Sequence, residues 1–273
     1  MKNIKTGFIG GGNMARSLIG GLIASGCPAD SIYVSDRDPD QLATIKVDFQ
    51  VNTLDTNQDL VDAADVIVLA VKPQAMKEVI RQLDASSIAN KLLVTIAAGI
   101  QTTAISNWLQ QDCSIVRTMP NTPALVRSGA TGMYANANCT EAQKETAESI
   151  MRAVGLTVWV EEEGQIDAIT ALSGSGPAYL FLVMEAMEQA GIHLGLPADT
   201  ARLLAVQTAF GASKLALEIE EDPATLRQRV TSPGGTTERA IGVFQEHHLI
   251  KLFEQAMTAA RDRATELAEQ LGQ

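Results

Sequence analysis

Two short stretches of this sequence combine residue types that bind anions rather than build cores. The first is Gly10-Gly11-Gly12-Asn13-Met14-Ala15, set between an apolar run (Ile4, Phe8, Ile9) and a helical pattern (Leu18, Ile19, Leu22). Read as strand, tight turn and helix, it puts small residues at the three places a dinucleotide needs them. Gly10 permits the turn, Gly12 lets a pyrophosphate touch backbone, and Ala15 lets helix and strand pack closely. The helix start then offers unpaired N–H groups and a partial positive charge to phosphate. The second stretch, Val230-Thr231-Ser232-Pro233-Gly234-Gly235-Thr236-Thr237, places Gly-Gly-Thr directly before another helix. Successive N–H groups there form an anion nest, and the Ser232, Thr236 and Thr237 hydroxyls add donors. A carboxylate suits it. A third Gly/Ser stretch, Leu172-Ser173-Gly174-Ser175-Gly176-Pro177, opens a helix with Pro177 near its first position, where a missing N–H costs nothing.

Neither the second nor the third stretch holds a His, Asp or Glu placed to act as a general base. The three histidines are His193, His247 and His248, and the adjacent pair lacks the four-residue spacing of a helical metal site. No metal is expected. No Ser-His-Asp or HExxH pattern exists either. Hydride transfer asks little more of a protein, because the cofactor carries the hard step.

The elements that must position these residues alternate over the first half of the chain. Ser31–Ser35 reads as the second strand. At its end Asp36 suits the 2′-hydroxyl of NAD, whereas Ser35 and Arg37 suit the 2′-phosphate of NADP. A short third strand is expected at Phe49–Val51, and a helix over Asp55–Ala64. Val66–Val71 is an unbroken apolar run, the mark of a central parallel strand. It ends in Lys72-Pro73, so Ala70, Val71, Lys72 and Pro73 should border the cofactor at the strand's carboxyl end. Leu92–Ile96 repeats the pattern and ends in Ala97-Ala98-Gly99. Further strands are expected at Ser114–Met119, Gly129–Ala135 and Leu156–Val160, with a rigid Pro120–Pro123 loop and a helix at Thr140–Val154. This order means a doubly wound α/β sheet of about eight strands.

After Glu161-Glu162-Glu163-Gly164 no strand-like run returns. Ile166–Leu172, Pro177–Ala190, Ala198–Ile219, Pro223–Arg229, Thr237–Glu246 and Leu249–Leu271 all carry helical periodicity. The division is therefore a Rossmann-type domain over 1–162 and an all-α domain over 163–273. Two of these helices are apolar on more than one face, which calls for burial, and a second subunit is the natural cover.

The whole chain sets outer limits. A net charge of −11 opposes nucleic-acid binding, which needs clustered cations. No uninterrupted apolar run reaches membrane-spanning length, so no membrane role is expected. Cys27, Cys113 and Cys139 are odd in number and widely spaced, which suits thiols in a reducing cytoplasm.

The blocks GFIGGGNMARSLIGGL, LAVKPQ, IAAGI, RTMPNTPALVRSGATG, ALSGSGPAYLFL and VTSPGGTTERAI together resemble the pyrroline-5-carboxylate reductase family. They run in family order over nearly the whole chain, and SPGGTT is the most specific. The resemblance implies reduction of the cyclic imine 1-pyrroline-5-carboxylate to L-proline by NADPH, with NADH as the alternative. It also implies a homodimer of intertwined helical domains, often built into a decamer. By position, Gly10–Ala15 matches the family's dinucleotide loop, Ser35 the 2′-phosphate or ribose contact, and Asn57 a ribose contact. Ala70, Val71, Lys72 and Ala98 match strand-end residues that line the cofactor. Ser232, Gly235, Thr236 and Thr237 match the substrate carboxylate loop, with Thr237 facing the ring nitrogen, and Glu163 matches a substrate-side acid. Arg229 departs from the family pattern, standing where some members have Asn at the cofactor. Two other readings stay open. A β-hydroxyacid dehydrogenase shares the domain order but wants a lysine base near the start of the second domain, and Gly174–Leu182 has none. A non-catalytic NADP-sensing regulator would keep the Gly loop without the anion nest.

Overall fold

The computed structural model describes residues 4–272. Eight strands form one sheet in the order β3-β2-β1-β4-β5-β6-β7-β8. They are β1 (Thr6–Ile9), β2 (Ile32–Ser35), β3 (Asn52–Leu54), β4 (Val66–Leu69), β5 (Leu92–Thr95), β6 (Ser114–Met119), β7 (Gly129–Ala135) and β8 (Gly155–Trp159). All neighbours pair in parallel except β6 and β7, which run antiparallel. The helices between them are α1 (Asn13–Ala24), α2 (Pro39–Phe49), α3 (Asn57–Ala63), α4 (Pro73–Arg81), α5 (Ala85–Ile88), α6 (Thr102–Leu109) and α7 (Glu141–Arg152).

The central strands are apolar throughout because both faces are covered. Val66 and Val68 of β4 join one core, with Phe8, Leu18, Ile19 and Ile150. Ile67 and Leu69 point the other way and join Ile9, Leu60, Met76 and Ile105. Successive residues of a strand face opposite sides, so a strand between two helical layers has no polar positions. Chain order reverses between β1 and β4, and that switch opens a crevice at the carboxyl ends of the strands.

Three departures from the sequence expectation have a clear physical cause. The third strand is Asn52–Leu54 rather than Phe49–Val51. Pro39 at the first turn and the Asp38 side chain, which accepts from the N–H groups of Asp40 and Gln41, start α2 firmly, and it runs through Phe49 before Gln50 caps it at φ 57°. β4 stops at Leu69, because its partners end at Ile9 and Thr95, so Ala70 and Val71 leave the sheet. The third concerns the Gly/Ser stretch, which the sequence reads as a break between helices. Here α8 (Gln165–Ile169) passes through a π-helical turn at Thr170–Gly174 and, after a bend at Ser175, into α9 (Gly176–His193). The Ser175 N–H donates to Thr170 O at 2.8 Å. Pro177 has no N–H to offer the Ser173 carbonyl four residues back, and Asn121 Nδ2 donates to that carbonyl instead, at 2.9 Å.

Four further helices complete the chain: α10 (Ala198–Glu218), α11 (Pro223–Arg229), α12 (Thr236–Glu246) and α13 (Leu249–Leu271). By compactness the chain divides into Met1–Ser175 with Ala259–Gln273, and Gly176–Thr258. In this division helix α8, the π turn and the end of α13 go with the sheet. The cause is a buried charge cluster. Arg117 on β6 pairs with Glu163 and Asp167, and Thr265 of α13 donates to Asp167 at 3.2 Å. In the helical unit, α9 and α10 pack through Gly191 against Ala201, and Arg202 forks onto Glu188 at 3.0–3.2 Å. Otherwise α9 buries none of its residues. Among the described residues one helix, Gln165–His193, is long and apolar enough to cross a membrane by length and composition, a test that the core helix of a soluble protein also passes.

Candidate active site

At the switch point lies a cavity of about 780 Å³. Its lining includes Gly10, Gly12, Ser35, Arg37, Asn57, Ala70, Val71 and Lys72. These residues are far apart in sequence and meet here because β1, β2 and β4 are neighbours with aligned carboxyl ends. Gly10 adopts φ +101°, and a Cβ there would lie 2.7 Å from the Ala70 carbonyl oxygen, so both turn and close approach require glycine. Nothing lies within 4 Å of a Cβ on Gly12. Gly12 caps α1 with no side-chain hydrogen bond, and no acidic residue occupies the first turn. The first N–H groups of α1, at Asn13, Met14 and Ala15, therefore have no intrahelical acceptor. A bare helix start behind open space fits a dinucleotide pyrophosphate.

Gly11, Asn13, Met14, Ala15, Pro73 and Ala98 do not line the cavity themselves. Gly11, Asn13, Met14 and Ala15 build the loop and helix start, and Pro73 opens α4. Ala98 lies on the loop after β5, one strand further along the same edge. Missed at the sequence level were Gln41 and a stripe along α4 and its C-cap: Gln74, Ala75, Glu78, Val79 and the cap Gln82. The signal was there, since Gln74, Glu78 and Gln82 recur every four residues and so share one helix face.

At the sugar end Ser35 is fully buried and donates from Oγ to Asn57 Oδ1 at 2.9 Å. Arg37 is exposed and makes no ion pair among the described residues. The Asp36 carboxylate turns back onto the Gly loop, accepting from Gly11 N–H at 2.7 Å and Gln41 Nε2 at 2.9 Å.

The second anion site stands in the helical unit. Ser232, Gly235, Thr236 and Thr237 share the turn that opens α12, with Gly234 at φ +73° and Gly235 as the cap. The expected nest moves forward by a residue. Gly235 N–H donates to Ser232 O at 3.0 Å, and Gly234 N–H donates to Glu238 Oε2 at 2.7 Å. The N–H groups left without an intrahelical acceptor are those of Thr236, Thr237 and Glu238. Glu238 was missed, although Gly235 to Glu238 has the spacing of a capping box.

Glu163, expected as a substrate-side acid, has partners within the sheet unit. Its Oε1 accepts from Thr102 N–H at 2.7 Å and its Oε2 from the Thr102 hydroxyl at 2.8 Å, while Arg117 Nη1 lies 3.4 Å away. The carboxylate is thereby spent on the start of α6 and on a buried cation. Arg229 pairs with Glu221 within the helical unit. Thiol chemistry has little support: burial, with the Asp112 charge adding, pushes Cys113 up to about 11. Among the described residues, no group of three or more His, Cys, Asp or Glu could hold a metal ion.

Known proteins share this arrangement over the full chain. The pyrroline-5-carboxylate reductase of Pseudomonas aeruginosa is 52% identical over 273 residues, covering 100% of both chains. The chain belongs to the pyrroline-5-carboxylate reductase family. A structure of the Coxiella burnetii reductase superposes with a TM-score of 0.94 at 49% identity, covering 98% of this chain and 99% of that one. The Plasmodium falciparum reductase, solved with NADP bound, gives 0.86 at 27% identity over 98% and 99%. The family model of pyrroline-5-carboxylate reductase dimerisation matches residues 163–267, and one described as NADP oxidoreductase, coenzyme F420-dependent, matches 5–99. The fold is thus a Rossmann-type sheet domain followed by the helical dimerisation domain of pyrroline-5-carboxylate reductases.

Proposed function

We propose that this chain reduces 1-pyrroline-5-carboxylate to L-proline with NADPH, NADH being the poorer donor. The observation that carries the reading is the pairing of two anion sites on one chain, in a family at 52% identity over its whole length. One is a dinucleotide cavity at the sheet edge. The other is a helix start capped by Gly235 without a side-chain hydrogen bond, with three hydroxyls beside it.

The reduced nicotinamide, when bound, supplies the hydride. The Gly10–Ala15 turn and the start of α1 hold the pyrophosphate, and Ala70, Val71, Lys72 and Ala98 border the strand ends. Asn57 Nδ2 and the exposed Arg37 provide donors for a 2′-phosphate, and buried Ser35 orients Asn57 by donating its hydroxyl proton to Oδ1. The N–H groups opening α12 hold the substrate carboxylate. A five-membered ring keeps its nitrogen two bonds from that carboxylate carbon, so the Thr237 hydroxyl is within reach to hydrogen-bond it. The hydroxyl positions and polarises the imine. It is too weak an acid to supply the proton outright.

The dimerisation match supports a homodimer, and we extend this to a decamer of five dimers. Three free thiols support a reducing, cytoplasmic location. The test is nicotinamide absorbance with purified protein. Consumption of NADPH on adding the imine, and no formation of NADPH from 3-hydroxy acids and NADP+, is the expected result. Activity on the hydroxy acids alone would move the chain to the β-hydroxyacid dehydrogenases.

A further inference from the structure

Asp36 immediately follows the last residue of β2. A free carboxylate there accepts from a ribose diol and repels a 2′-phosphate. This one is not free. Its Oδ2 accepts from Gly11 N–H at 2.7 Å and from Gln41 Nε2 at 2.9 Å, and its Oδ1 accepts from Asp38 N–H at 2.9 Å. Both acceptor positions of Oδ2 are filled, and one of Oδ1. The packing enforces the arrangement. A Cβ on Gly11 would lie 2.4 Å from Ile45 Cδ1 and 3.2 Å from Gln41 Nε2, and Ile45 is fully buried. Glycine at the middle of the three is therefore what lets Asp36 and Gln41 close on the loop.

We propose that Gln41 is a specificity-determining residue: Asp36 lines the cavity, and Gln41 latches its carboxylate onto Gly11 N–H with both acceptor positions of Oδ2 filled, which favours NADPH over NADH. The proposal rests on reading the cavity as the NAD(P)H site. Without Gln41, one acceptor position on Oδ2 opens and only Gly11 N–H restrains that oxygen. The carboxylate is then held by the Gly11 and Asp38 N–H groups alone, so it turns more readily to accept from the 2′-hydroxyl of NADH, and its charge faces a 2′-phosphate.

The experiment is calorimetric binding of NADP+ and NAD+ to the protein without imine, for wild type, Gln41→Met, Asp36→Asn and the double variant. Gln41→Met should narrow the NADP+/NAD+ affinity ratio roughly tenfold, the scale of one hydrogen bond to a charged group. In the Asp36→Asn background the same change should move the ratio less than about twofold, because no carboxylate remains to be released. A wild-type-like ratio in Gln41→Met overturns the latch. Equal narrowing in both backgrounds also overturns it, since Gln41 would then act by packing alone. Thermal unfolding checks that each variant folds; if Gln41→Met does not, Gln41→Glu repels Asp36 in nearly the same shape and is read identically. If neither dinucleotide binds the wild type, the cavity reading fails along with the latch; if both bind and the ratio stays put, the latch alone fails.

Discussion

Arg117 Nη2 donates to Asp167 Oδ1 at 2.9 Å, joining the middle of β6 to α8 across 50 positions of sequence. The Arg117 side chain is 2% exposed, and its remaining charge faces Glu163. Buried pairs contribute little relative to apolar replacements, but removing one partner strands the other. Arg117→Met leaves two carboxylates without a cation and should cost about 3–5 kcal/mol. The triple variant Arg117→Met, Glu163→Gln, Asp167→Asn removes the stranded charges and should recover much of that loss. Denaturant unfolding at fixed protein concentration reads both. Equal stability of the single variant and the wild type would show that Arg117 is dispensable to the sheet unit.

This cluster also marks where the sequence stopped being legible. Strand order and type were readable, because Val66–Leu69 and Leu92–Thr95 are apolar without a break and Gly10–Ala15 carries its own spacing. The roles of Glu163 and Asp36 were not. Both are acids next to functional-looking stretches, and only the fold reveals that Thr102 and Arg117 claim one while Gly11 and Gln41 claim the other. Long-range side-chain partners leave no periodic trace. Nor could the π turn at Thr170–Gly174 be read, since the Ser173 carbonyl within it finds its donor, Asn121 Nδ2, on another element. Glu238 was different: its spacing from Gly235 was visible, and the missing Ser or Thr at the cap concealed it.

At the sugar end, Arg37 should discriminate between cofactors. It lines the cavity beside Ser35 and makes no ion pair among the described residues. Arg37→Ala should raise KM for NADPH roughly tenfold, as expected for a charge-assisted contact with phosphate. The KM for NADH should change little. Steady-state kinetics with both cofactors decide it, and equal effects on the two would leave Arg37 as a turn residue only.

Thr237 should be the side chain nearest the chemistry. Losing one hydrogen bond to the imine nitrogen costs on the order of 1–3 kcal/mol, or roughly tenfold to a hundredfold in kcat/KM. Thr237→Ala should show that loss with NADPH affinity unchanged, because the Gly10–Ala15 loop is untouched. Thr237→Ser restores the hydroxyl and should recover most of the activity. Gly235 already caps α12 without a side chain, so full kcat/KM in Thr237→Ala would leave the hydroxyl with neither a capping nor a catalytic task.

The apolar surface of α10 argues for obligate assembly. Leu203, Phe210 and Leu217 recur at seven-residue intervals along one side of the helix and are 68%, 60% and 84% exposed in the single chain. On α9, Phe181 and Leu182 are 63% and 65% exposed. Covering each such side chain contributes about 1.5–3 kcal/mol, so a monomer forgoes a large part of the stability its helical unit can reach. Wild-type protein in sedimentation experiments should therefore show no folded 29.0 kDa species on dilution, only the dimer or larger forms. Phe210→Glu puts a charge in the middle of the stripe, where burial in the partner would strand it. That variant should lose the dimer, and imine reduction with it, while dinucleotide binding to the sheet unit persists. A stable, fully active 29.0 kDa wild type would mean these side chains are tolerated in water and the partner is not required.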